Sequence, residues 1–257
     1  MNQDQPSNPY LPPSSTAPSA LPEKRPVYQP YVTYSLIGIC VVMYLLQVST
    51  GYFFNIDITS ILDKNNSLIV QGELWRLVTP IFLHGSILHI AFNMYALFYF
   101  GRMIERYYGR LRYLGLFLLS GFAGNVISFM FSPYQSLGSS TSIFGLLGAV
   151  GVLIYQNRQI FGPVARQALS QVVIIAVINL IIGLTPGSAI DNWGHIGGLV
   201  GGTLFAWFGG PVLQKMGNIP PYPVVNTRTQ REVVAAGAGV GALFVFLTLI
   251  AIMMHRG

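Results

Sequence analysis

Charge is scarce in this sequence. Only 9% of its 257 residues are Asp, Glu, Lys or Arg, against roughly 25% in soluble domains. A soluble chain of this length would need more charge to cover its surface. Cysteine is scarcer still, since Cys40 is the sole example, and an intramolecular disulfide is excluded. A basic face interleaved with aromatic residues is also missing. The formal net charge of +6 therefore argues for membrane orientation rather than nucleic acid. The eye finds no internal repeat, which weakens an inverted-repeat transporter. No cofactor and no metal are expected. His84 and His89 are five residues apart and lack the glutamate of a zinc-protease helix.

Apolar residues fill the space that charge leaves, at 52% of the chain. Residues 1–30 hold eight prolines with Ser, Asn and Gln and read as a disordered, proline-rich cytoplasmic arm. "YVTYSLIGICVVMYLLQV", 31–48, is then long enough to cross the membrane as a helix. An uncleaved first span fits better than a signal peptide, because the arm is long and no A-x-A site follows. Six further spans are expected near 83–103, 112–131, 140–157, 167–184, 193–213 and 233–254. The loop between the first two is about thirty residues long, and loops of that length in compact domains are usually functional.

Seven spans sort the cations cleanly. Lys24, Arg25, Arg102, Arg106, Arg110, Arg112, Arg158, Arg166, Lys215, Arg228 and Arg231 fall on one side, and Lys64, Arg76 and Arg256 on the other. That alternation predicts a cytoplasmic N-terminus and an outer C-terminus, in a multi-pass protein of the plasma (bacterial cytoplasmic) membrane.

The polar residues of three non-adjacent spans then gather towards the outer face. Ser140 opens span four, His195 opens span six, and His84, His89 and Asn93 open span two. Intramembrane polar groups are costly and tend to face a cavity or one another. His89 and Asn93 share a helix face one turn apart. His195, Gly198 and Gly202 share another, and small residues there let a second helix approach. In span four, Gly148 and Gly151 are expected near the Ser140 face. Spans four and six can thus bring a hydroxyl and an imidazole within hydrogen-bonding distance, the arrangement that activates a serine nucleophile. The amide and the second imidazole would donate to the oxyanion. Simpler alternatives stand beside each residue: Ser140 as a helix cap, His195 as a packed helix-start histidine, and Trp75-Arg76 as an interfacial anchor. Asp191, four residues before His195, is either a triad member or a cap.

Taken together, these segments resemble the rhomboid family of intramembrane serine proteases over about 31–213. "ELWRLVTPIFLHGSILHIAFNMYAL" is similar to the family's WR loop and its H-x-x-x-x-H-x-x-x-N segment, "GSSTSIFGLLGA" to G-x-S-G-x-x-F-G-x-x-G, and "GHIGGLVGG" to A-H-x-x-G-x-x-x-G. "ERYYGRLRYL" is similar to the segment after the second core span. The resemblance implies an all-α polytopic membrane protein, with a six-helix transmembrane core (31–213), a cytoplasmic linker (214–232) and one additional C-terminal transmembrane helix (233–257). It implies a Ser140 nucleophile, a His195 base, and an oxyanion hole from His89, Asn93 and the Ser140 N–H. Substrates would be transmembrane segments of other proteins in the lipid bilayer, with no nucleic acid as partner. Span five and "TPGSAIDNW" would form the mobile gate. A catalytically inactive, membrane-protein-binding relative is the alternative. Two positions depart from the motifs: Thr141 replaces glycine, and Gly194 replaces alanine. A β-branched side chain beside the nucleophile would narrow substrate choice or silence the enzyme.

Overall fold

The computed structural model describes residues 28–217 and 223–256. The proline-rich arm expected over 1–30 lies almost wholly outside the described residues. Seven long helices follow: α1 Tyr31–Phe54, α2 Ile87–Tyr108, α3 Arg110–Phe131, α4 Ser140–Gln156, α5 Val164–Gly183, α6 Asn192–Gly209 and α7 Gln230–Arg256. Five of them are long and apolar enough to cross a membrane. The other two, α4 at 17 residues and the glycine-rich α6 at 18, are shorter or less apolar. The protein is an all-α, multi-pass membrane protein.

Several helix ends differ from expectation for local reasons. α1 runs six residues beyond 48 and stops where Asn55 turns left-handed (φ 53°). α2 starts at Ile87 rather than 83, because Ser86 accepts from the His89 N–H and caps the helix. His84 consequently lies in the loop before α2, not within it. α2 then runs to Tyr108, beyond the expected end near 103, and contains a π-helical turn at Leu97–Gly101. Gly109 alone separates it from α3, with φ 76°, a conformation that favours glycine. The stretch expected as a linker carries a short antiparallel pair, β1 Leu213–Lys215 and β2 Val224–Asn226.

α3, α4 and α6 form the centre. Their close approach depends on missing atoms. A methyl group at Gly198 would strike the Thr141 carbonyl, and one at Gly202 would strike the Gly145 backbone. Small residues at such crossings let helix backbones meet in lipid. Gly148 joins this contact through Thr203 and Leu199 of α6, whereas Gly151 faces Val172 of α5. Of the two glycines expected near the Ser140 face, only Gly148 therefore serves the α4–α6 crossing, and Gly145 does more. α7 packs on α3 and α6 through residues such as Ala236, Val240 and Phe244. α5 is peripheral, with only 11% of its apolar window buried, against 56% for α3.

Buried polar groups fix α1 to α2 and to the loop between them. The Glu105 carboxylate, fully buried in α2, accepts from the N–H groups of Val32 (3.0 Å) and Thr33 (2.8 Å) and from the Thr33 hydroxyl (2.7 Å). It thereby caps the start of α1, whose own Pro30 offers no side-chain acceptor. At the other end of α1, Gln47 donates to Thr59 Oγ1 and accepts from the His84 N–H.

Candidate active site

The long loop after α1 builds one wall of the site. It contains two five-residue helices, Ile58–Leu62 and Asn66–Val70, too short for hydrophobic periodicity to reveal. Polar bonds over long separations hold it instead. The buried Lys64 ammonium donates to the carbonyls of Ser128 (3.4 Å), Ser132 (3.1 Å) and Tyr134 (2.6 Å) at the end of α3. Burial pulls this amine down to about 8, against the opposing fields of Asp191 and Asp63. Arg76, 3% exposed, pairs with Asp63 and Glu73, both at 2.7 Å. Trp75 is half exposed and donates to the Ile61 carbonyl at 3.4 Å. Thus the Trp-Arg pair divides: Arg76 is an internal brace, and only Trp75 sits at the surface as an interfacial anchor would.

This loop also positions the segment that leads into α4. The Gly138 N–H donates to the Pro80 carbonyl at 2.9 Å. Gly138 has φ 129°, and a Cβ there would lie 2.7 Å from His89 Nε2 and 3.6 Å from Ser140 Oγ. The His89 ring therefore lies over Gly138, beside Ser140. His84 stands edge-on to His89 with ring centroids 5.2 Å apart, and its Nε2 is 3.2 Å from Ser139 Oγ. Asn93, one turn below His89, is buried and donates through Nδ2 to the His89 carbonyl at 3.0 Å. Among the described residues, no group of three His, Cys, Asp or Glu side chains is arranged to hold a metal.

Ser140 is the first residue of α4, and Ser139 occupies the cap position without a side-chain capping bond. Ser140 Oγ lies 2.9 Å from His195 Nε2. The His195 ring stacks on Phe144, one turn along from Ser140, at 4.1 Å and 13°. A hydroxyl held by an imidazole at the positive end of a helix has a proton acceptor on one side and backbone N–H groups on the other.

Asp191 caps α6, accepting from the Gly194 N–H at 2.9 Å and from the Ser128 hydroxyl. His195 Nδ1 is buried without a hydrogen-bond partner among the described residues. Of the two readings of Asp191, the geometry supports the cap and not the triad.

Thr141 corrects the expectation of a side chain crowding the cleft. It is 5% exposed and points between α3 and α6. Cβ atoms built on Gly124 and Gly194 would lie 2.7 Å from Thr141 Cβ and 3.0 Å from its Cγ2, respectively. The two departures from the motif are therefore one substitution in space: Thr141 occupies room that an alanine at 194 would need.

A family model described as "Rhomboid domain" matches residues 71–212, from the Trp-Arg loop to the end of α6. The chain belongs to the rhomboid family. This rhomboid is 44% identical over 175 residues to "Rhomboid protease GluP" of Bacillus subtilis (strain 168), covering 68% of this chain and 34% of that protein. It is 37% identical over 151 residues to "RHOMBOID-like protein 9, chloroplastic" of Arabidopsis thaliana, covering 59% and 35%. It is 34% identical over 137 residues to "Rhomboid-like protease 1" of Toxoplasma gondii, covering 52% and 47%. The match thus spans between a third and a half of these relatives' own length.

Two contributors to the site escaped the sequence reading, namely Lys64 and Ser128. The signal for Lys64 was available: the one lysine of a partly apolar loop has to find acceptors where it is buried.

Proposed function

We propose that this rhomboid is a serine endopeptidase that cleaves other membrane proteins in or near their transmembrane segments through a Ser140–His195 dyad. The observation that carries the reading is the 2.9 Å contact between Ser140 Oγ and His195 Nε2 at the start of α4. Ser140 Oγ attacks the scissile carbonyl carbon as His195 Nε2 takes the hydroxyl proton. The C–N bond then breaks, and His195 returns that proton to the leaving nitrogen. Water, deprotonated by His195, hydrolyses the acyl-serine ester and regenerates the hydroxyl. The oxyanion is stabilised by the Ser140 N–H, His89 and Asn93, whose second amide hydrogen is available beside the bond to the His89 carbonyl.

Seven spans with a cytoplasmic N-terminus would put this dyad towards the outer face, where water enters. A peptide bond inside a helix is shielded, so substrates with Gly, Ser or Pro near the outer end of a span are preferred. Peripheral α5 and the loop before α6 serve as the gate. The binding-module alternative drew on Thr141, and the packing of that side chain between α3 and α6 favours the enzyme.

Incubation with a tagged single-span substrate in detergent tests the reading. Ser140→Ala should abolish cleavage, while Ser139→Ala and Ser142→Ala keep most of it. Full activity in Ser140→Ala would refute the dyad.

A further inference from the structure

At the end of the molecule opposite Ser140, α6 and α7 leave a groove of about 520 Å³, within the size range of small-ligand sites. Leu204, Phe208, Ala236, Val240 and Leu243 make it apolar, and Arg228 and Glu232 stand at its mouth. Gly239 opens onto it, and a Cβ there would meet nothing within 4 Å.

Behind Arg228 is a group of donors that the fold leaves unmatched. Arg228 itself is tied down: Nε donates to the Gly210 carbonyl and Nη2 to the Trp207 carbonyl, both at 3.2 Å, which leaves the second hydrogens of its two terminal nitrogens for a ligand. On the far side of Gly210, a Cβ would lie 2.7 Å from the Tyr108 hydroxyl. Tyr108 is 5% exposed, and its hydroxyl has no hydrogen-bond partner among the described residues. Arg112 Nη1 is likewise buried and unpartnered, and the Arg112 and Arg228 charges repel one another beside Tyr108. Glu232 is the one carboxylate paired with this group among the described residues, and it is also committed to the N–H and hydroxyl of Thr229.

We propose that the groove binds an anionic glycerophospholipid, with one acyl chain between α6 and α7 and its phosphate on Arg228, in the field of Arg112 and the unpaired Tyr108 hydroxyl. Two arginines against the one Glu232 carboxylate leave a net positive charge that selects a headgroup with net negative charge, and the apolar floor selects a lipid tail. A partner helix would need a face running the depth of the membrane, whereas the groove is confined to the end of α6 and the first half of α7. Lipid bound there would join α7 to the core independently of the Ser140 chemistry.

Native mass spectrometry of the full chain, delipidated in detergent and offered lipid, tests this. Phosphatidylglycerol should bind as a discrete one-to-one adduct and raise the melting temperature, and phosphatidylcholine should do so several-fold more weakly. A basic residue at a membrane surface is worth about fivefold in binding an anionic headgroup, so Arg228→Gln should lower adduct occupancy by about that factor. Gly239→Phe fills the groove while leaving both arginines in place, and should abolish the adduct. It also keeps the test decisive if Arg228→Gln does not fold. Equal binding of the two lipids, or an adduct that survives Gly239→Phe, overturns the proposal. So does an equal melting shift from inorganic phosphate, which would mean an ion site without the lipid.

Discussion

Thr141 and Gly194 provide a quantitative test of the packing around the dyad. Gly194→Ala would place a methyl group 3.0 Å from Thr141 Cγ2 and 2.9 Å from Asp191 Oδ2. Overpacking of this kind costs about 1–3 kcal/mol. Thr141→Gly removes Cβ, a buried methyl group and a buried hydroxyl that has no partner among the described residues, and adds a helical glycine, together about 2 kcal/mol. In the double variant the alanine methyl enters space that the threonine has vacated. The loss should therefore fall short of the sum of the singles by about 1 kcal/mol or more, a coupling normal for side chains in contact. Part of the penalty persists, because the Asp191 carboxylate stays near the new methyl. Unfolding of the four proteins in mixed micelles, titrated with an ionic detergent and followed by tryptophan fluorescence, measures the cycle. Additivity within about 0.5 kcal/mol would mean that the two sites are independent, and the idea of one shared substitution would fail. The same proteins carry a second readout. Since Thr141 faces α3 and α6, Thr141→Gly should leave unchanged the set of residues accepted beside the scissile bond.

Asp191→Ala should cost about 1 kcal/mol as a lost helix cap and slow cleavage by less than tenfold, with Asp191→Asn nearly normal. A loss in Asp191→Asn as large as that of His195→Ala would restore a triad. Lys64 gives a pH signature: its folded-state value of about 8 lies below the ordinary 10.5, so between those values the unfolded chain binds more protons. The contribution of Lys64 to stability therefore rises with pH across that window. Melting curves at pH 7.5 and 9.5 should show a rise in wild type relative to Lys64→Gln, and parallel curves would refute it.

The helices were legible because long apolar runs in this chain have few other fates. Their ends were less so. Whether α2 begins at 83 or 87 depends on Ser86, and whether it ends near 103 or at Tyr108 depends on Gly109, whose positive φ stops it. The nearness of Ser140 and His195 could be anticipated from glycine spacing, since close helix crossings leave a sequence trace. The direction of Thr141 left none, because it depends on which helix covers that side of α4. The small helices at Ile58–Leu62 and Asn66–Val70 were hidden for a similar reason. Lys64 between them and Asn66 at the start of the second bond to the end of α3, more than sixty residues away.

The Glu105 cap on α1 also has a consequence in time. α1 is synthesised before α2, and the carboxylate that completes its start follows Thr33 by 72 residues. Until α2 has been made, the N–H groups of Val32 and Thr33 have only water as a partner, which holds the start of α1 at the membrane surface. The arrival of Glu105 releases that water and latches the two helices together at one end. Gln47 can close the other end only after the loop carrying His84 has returned. α1 can thus be locked in place only once α2 has followed it, before any helix of the central trio has been made.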